Sequence, residues 1–385
     1  YYAGQVNTTG AFNVAIGYYS LKGNTTADNN VAIGSYSLQT NTTGTSNVAV
    51  GTYALQQNTT ADNNTAVGKS ALNQNTTGSY NTAVGENAST AITTGAHNTS
   101  MGARALDATT TADSNTAIGS AAMSVNTTGQ NNTVVGHQAL YACTSGSSNT
   151  AIGKDTGTSL TTGNENTLIG LNCADALTTG NENCAFGKGA LTTATTGLRN
   201  VALGVSAGQV ILDGERNTCV GFDCGNGISS GDNNMTLGNQ SGTAQSPSGN
   251  ITTGSNVICL GNNSVTDLYC ADTSISSSDK RDKTDITNFT HGLNWVNQLN
   301  PITYRWDKRT WYDDNTPDGS KKRNKKHIGF LAQDVLAIEG NPSDKDDMLV
   351  VNLNEDDSAY GLKYERLVPI LVNAIKELSA KVAAL

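Results

Sequence analysis

The chain has 385 residues, of which 36% are apolar, 5% aromatic and 14% charged, and its formal net charge is −9 at pH 7. That composition excludes one large conventional core, and the acidic balance argues against a nucleic-acid surface. No apolar run reaches the length of a membrane-spanning helix and no signal peptide is visible, so membrane insertion is not expected. Residue 1 is Tyr rather than Met, so further sequence is expected ahead of it. Residues 1–270 carry 7 Lys/Arg and 14 Asp/Glu, whereas residues 271–385 carry 16 and 18. Two regions are built under different rules.

The first region is a repeat. Glycine recurs at every seventeenth position from Gly17 and Gly34 to Gly221 and Gly238, fourteen copies without an insertion. Asparagine stands four residues before each, from Asn13 to Asn234, and an apolar residue stands directly before each, as in Ile16, Val67 and Leu237. Seventeen residues cannot hold a helical hairpin, and the Gly, Asn and Thr content opposes helix. Alternation in Asn-Thr-Ala-Val-Gly predicts a short strand, and Thr-Thr-Gly or Thr-Thr-Ala-Asp a turn. A fixed period predicts one stacked coil per repeat, about 4.8 Å apart, so that fourteen coils span roughly 65–70 Å. The repeated asparagine is expected to form a side-chain amide ladder.

Each coil offers only two or three sizeable apolar side chains, for example Val67 and Leu72, beside Ala66 and Ala71. That is little to set against the cost of ordering a whole coil. A lone solenoid is under-cored, and three around an axis could share a core; a homotrimer is expected. Across residues 7–240 the pattern resembles the head repeats of trimeric autotransporter adhesins, which implies a left-handed parallel β-roll. Phage fibres use similar repeats. The many Asn-Thr-Thr sequons follow the structural period and are not read as glycosylation sites. His97 and His137 stand singly in different coils and are read as surface residues. The seven cysteines lack metal-ligand spacing and are read as reduced; no metal or other cofactor is expected.

After Gly238 the rhythm fails. The next such glycine is Gly261, well beyond one further repeat, and Pro247 interrupts the stretch between them. Residues 1–240 are therefore assigned to the β-roll shaft, 241–274 to an irregular adaptor and 275–385 to a small α/β domain. The adaptor, around Asn250 and Thr252, is the expected place for an exposed contact at the end of the shaft.

In the last region "NWVNQLNPITYRW" predicts a short helix, a turn at Asn300–Pro301 and a strand. "HIGFLAQDVLAI" predicts a strand running into a helix, and "DMLVVNL" another strand. The basic run "KKRNKK" is read as a solvated loop rather than a nucleic-acid patch. Tyr364, Val368, Leu371, Ile375, Leu378, Val382 and Leu385 step by 4 and 3 alternately, a heptad seam that predicts a coiled-coil helix.

"SDKRDKTDI", "LNPITYRW", "HIGFLAQDV" and "YERLVPILVNAIKEL" occur here in the order found in the intramolecular chaperone domain of phage tail fibres and endosialidases. The region resembles that S74 peptidase family. The resemblance implies trimerisation, assistance to folding of the upstream β-structure, and self-release by a Ser-Lys dyad. It places the nucleophile at Ser278, the base at Lys283, accompanying residues at Asp279 and Arg281, and the scissile bond between Ser277 and Ser278. It assigns no role to Gln333. A lysine acts as base only when neutral, so Lys283 is expected to be partly buried, at the latest once three chains have assembled.

The expectation is a mainly β viral tail fibre: a trimeric solenoid of 17-residue coils followed by a self-cleaving chaperone. Its only catalysis would be a single-turnover serine endopeptidase step. It would be assembled in the host cytoplasm, carried on the virion, joined to tail or baseplate proteins ahead of Tyr1, and directed at a host cell-surface receptor. The alternatives are a bacterial trimeric surface adhesin and a fragment of a glycan-degrading tailspike. The first calls for a membrane anchor and the second for clustered carboxylates.

Overall fold

The computed structural model describes residues 1–265, 267–268, 280–342, 344, 347–354 and 359–385, with Asp282 described in its backbone alone. They fall into two compact units, Tyr1–Thr243 with Ile251–Leu260, and Ala244–Asn250 with Gly261–Leu385.

The first unit is a parallel β-solenoid. Fifteen three-residue strands, from β1 (Val14–Ile16) through β14 (Met235–Leu237) to β15 (Ile258–Leu260), pair in sequence order in one sheet. Partners stand one full repeat apart, as in Val14 with Val31 and Thr65 with Thr82. At the last step Met235 pairs with Ile258, six positions further on than one repeat. The sheet thus continues through the irregular stretch, whose six extra residues lie between Gly242 and Ile251. The period glycine is required twice over. Gly68 has φ of +134°, and a Cβ there would lie 2.5 Å from the Gly85 oxygen in the next coil. Each coil also bends through non-glycine residues at positive φ, such as Tyr36 (62°), Leu38 (47°) and Ser46 (57°). Each costs about 1–2 kcal/mol, so the turns depend on their stacked neighbours.

The expected asparagine ladder is present, and it is buried from Asn30 to Asn234. Asn149 Oδ1 accepts the backbone N–H of Asn166 at 3.0 Å, and Asn149 Nδ2 donates to the Gly163 carbonyl at 2.9 Å. In the last coil the Val257 N–H takes the same place on Asn234 Oδ1, and the ladder ends there. A second ladder was not expected. The asparagines of the Asn-Thr-Thr turns also point inward, with Asn41, Asn58 and Asn75 each donating to the preceding one at 2.7–3.1 Å. It stops where Ile92 replaces asparagine, which leaves Asn75 Oδ1 buried without a partner. Buried as they are, the side chains of Asn24, Asn41, Asn58, Asn75 and Asn126 cannot accept a glycan in the folded chain.

Two inward positions three residues apart trade volume along the stack. Leu21, Leu38, Leu55 and Leu72 accompany Asn24, Asn41, Asn58 and Asn75. Further on, Gly157, Gly208 and Gly225 accompany Leu160, Ile211 and Ile228, and after the inserted segment Gly242 accompanies Ile251. A Cβ on Gly208 would lie 3.0 Å from both Ile211 Cδ1 and Leu191 Cδ2. At these two positions a coil therefore admits about one large side chain. Where Ser89 takes the leucine position, its hydroxyl bonds Ser100 at 2.8 Å, and the apolar interior divides into two clusters.

One sequence expectation is corrected. Val67 does not enter its coil: Ala66, at the middle of the strand, is fully buried, and Val67 is 36% exposed. In every strand the first and third residues face outward. The third-residue column runs from Ile16 to Leu260 and is apolar throughout, and none of the fifteen strands contains a charged residue.

The second unit is a small α/β fold. Helix α1 (Leu293–Val296) is followed by β16 (Ile302–Tyr304) and β17 (His327–Gly329), which pair antiparallel, and by α2 (Ala332–Ile338). A second antiparallel pair, β18 (Val351–Leu353) and β19 (Tyr360–Leu362), precedes α3 (Leu367–Ala383). Trp295, Val335, Met348, Val350, Val351, Leu367 and Ile370 form its core. The Glu339 carboxylate gathers the N–H groups of Leu349, Val350 and Val351 at 2.7–3.2 Å, and Glu377 on α3 accepts the Leu293 N–H at the start of α1.

Candidate functional site

Lys280–Asp282 form one 3-10 turn, closed by the Lys283 N–H on the Lys280 carbonyl at 3.3 Å. Arg281 and Lys283 are exposed, while Ser277, Ser278 and Asp279 lie outside the described residues. The partial burial expected of Lys283 is not provided by this single chain. Lys308 is half-buried, and desolvation and then Arg323 hold its pKa below the usual lysine range.

Ahead of the motif the chain is gripped at two points. The Asn263 carbonyl accepts hydrogen bonds from Trp311 Nε1 at 3.2 Å and Lys308 Nζ at 3.3 Å. The Asp267 carboxylate pairs with Lys325 Nζ at 2.9 Å. Asp267, Trp306, Arg323, Asn324, Lys325 and His327 line a cavity of about 240 Å³. The basic run is thus more than a solvated loop: Lys325 holds Asp267, and Arg323 lies 4.9 Å from the centre of the Trp311 ring. Sequence reasoning missed this arrangement, and Trp306 and Trp311 beside so many cations were its only signal.

Helix α3 has two apolar faces. Leu367, Ile370 and Ala374 are buried in their own unit, whereas Val368, Leu371, Ile375, Leu378 and Val382 are 43–67% exposed. Tyr364 and Leu385, the ends of the expected seam, lie outside α3, and the Tyr364 hydroxyl accepts the Phe330 N–H at 3.3 Å. Gln333 is exposed in the first turn of α2.

Burial raises the Cys143 thiol to about 11 and the Cys173 thiol to about 12, which makes both poor nucleophiles. His97 stacks on Tyr80, and His137 faces Asp155 at 3.7 Å. Among the described residues no group of three or more His, Cys, Asp or Glu could hold a metal, and no helix is long and apolar enough to cross a membrane.

Residues 278–343 match the model of the Peptidase S74 family, described as chaperone of endosialidase. The C-terminal region carries an S74 domain. The match begins at Ser278, the expected nucleophile, and takes in Lys283, α1, β16, β17 and α2. The S74 domain thus stands behind a β-roll of stacked 17-residue coils, an arrangement that fits a fibre-like or tailspike-like protein with a chaperone domain. No curated protein and no solved structure matches the chain.

Proposed function

We propose that the chain is a trimeric viral tail fibre whose S74 domain seeds assembly and then cuts itself from the shaft. The observation that carries the reading is the outward sheet face, fifteen strands long and without a charge. All-parallel sheets ordinarily have both faces covered. Three such faces turned to a common axis would bury one another and add to the small apolar interior of each coil. The exposed apolar face of α3, stepping by 4 and 3, supports a three-stranded seed at the other end. A seed is needed because a uniform repeat lets three chains pair one coil out of register.

Cleavage follows assembly in this account. Lys283 must lose its proton to act as base, and desolvation is what lowers a lysine pKa. Lys283 is exposed in one chain, so a neighbouring protomer must cover it. Ser278 Oγ then gives its proton to Lys283 and attacks the Ser277 carbonyl. The Ser278 amine leaves with a proton, and water hydrolyses the ester that remains. The freed shaft would serve host attachment on the virion, its receptor a component of the host cell surface.

N-terminal sequencing of the expressed chain tests the cleavage. A C-terminal fragment beginning at Ser278 is expected, while Ser278→Ala and Lys283→Ala chains remain full length and still trimerise. Either variant cutting at the wild-type rate would rule out the dyad.

A further inference from the structure

The bond that cleavage would break and the boundary at which the chain folds do not coincide. Residues 244–250 and 261–268 precede Ser278, so they would leave with the shaft, yet they fold as part of the C-terminal unit. Asn263 is the centre of this strap. Its N–H donates to the Gln245 carbonyl at 2.7 Å, and its own carbonyl accepts from Trp311 and Lys308. Four residues further on, Asp267 meets Lys325. The gripping side chains are themselves braced, with Lys308 Nζ 5.1 Å from the Trp306 ring centre and Arg323 stacked over Trp311. Lys308, Trp311 and Lys325 lie within the S74 match, while Gln245, Asn263 and Asp267 lie ahead of it.

We propose that this aromatic and basic arm is a retention clamp, which holds the strap of residues 244–250 and 261–268 after the Ser277–Ser278 bond is cut. Proteolysis alone then leaves the S74 domain on the shaft, and separation is a second, non-covalent step. Salt should hasten that step, because the pair of Lys325 and Asp267 is more than one-third exposed on each side and is screened at high ionic strength. The clamp also accounts for the inserted residues of the last coil. Residues 244–250 supply the Gln245 carbonyl that fixes Asn263, so the insertion braces the strap that the clamp holds.

The proposal rests on the cleavage reading only for the identity of the cut bond, and it can be tested without self-cleavage. In a Ser278→Ala chain, residues 271–276 are replaced by the recognition sequence of a site-specific endoprotease. The chain is cut in about 50 mM salt, well below the screening regime of 1 M, and the fragments are followed by gel filtration. They should co-elute at low salt and separate in about 1 M sodium chloride. Asp267→Asn should speed dissociation about threefold, as expected for one exposed ion pair. Trp311→Phe, which keeps an aromatic ring and deletes the N–H donor, should speed it further, and the double variant about tenfold or more. Fragments that part at once in low salt, or variants that hold as firmly as the parent, would overturn the clamp.

Discussion

Gly208 and Ile211 share one inward space in their coil, as Leu191 and Ala194 do one turn earlier. Gly208→Leu alone should lower the denaturation midpoint, because its side chain would run into Ile211 Cδ1 and Leu191 Cδ2 at a cost of about 1–3 kcal/mol. Ile211→Ala alone should cost about 2–5 kcal/mol through the cavity it opens. The double variant recreates the Leu191–Ala194 pairing and should lose much less than the sum, a coupling that a urea titration of the four chains would measure. Full additivity would mean the two positions do not share volume. This exchange was not legible in the sequence, where Leu72 reads as core and Asn75 as an ordinary turn residue. Only pairing the two positions coil by coil shows that one grows as the other shrinks. The Val67 error has a related cause. Alternation gives the two faces of a strand without saying which is inside, and here the middle residue Ala66 is inside while Val67 faces out.

At the scale of elements, the two faces of α3 can be separated experimentally. Ile370 is 1% exposed and Ile375 is 67% exposed. Ile370→Ala should destabilise the C-terminal unit by about 2–5 kcal/mol, visible as an earlier thermal transition. Ile375→Asp should leave that transition of the isolated protomer in place and weaken assembly, visible as a smaller mass in solution. A helix that serves only its own unit would make Ile375→Asp silent in both measurements. The exposed apolar face of α3 was legible over Val368 to Val382, since its period survives in the sequence. Its ends were not: Tyr364 belongs to a 3-10 turn preceding α3 and is committed to the Phe330 N–H. The strap was illegible for a different reason. Asn263 and Asp267 lie far ahead in the sequence of Trp311 and Lys325, the residues that hold them, and nothing in "KKRNKK" marks Lys325 as the one that finds a carboxylate. The motif from Ser278 to Lys283 was readable because its residues are contiguous.

In the proposed trimer, a shaft that could stack in many registers is joined to a domain that would fix one. Parallel coils close contacts between positions one repeat apart through a strand of only three residues, so each coil contributes little alone and the order of stacking matters. In the proposed trimer the uncharged face of fifteen strands and the exposed face of α3 would each be covered by partner chains. Sedimentation equilibrium of the Ser278→Ala chain at micromolar concentration tests this most directly. The account predicts a single species of three times the chain mass, and a folded, stable monomer with intact β-structure would contradict it.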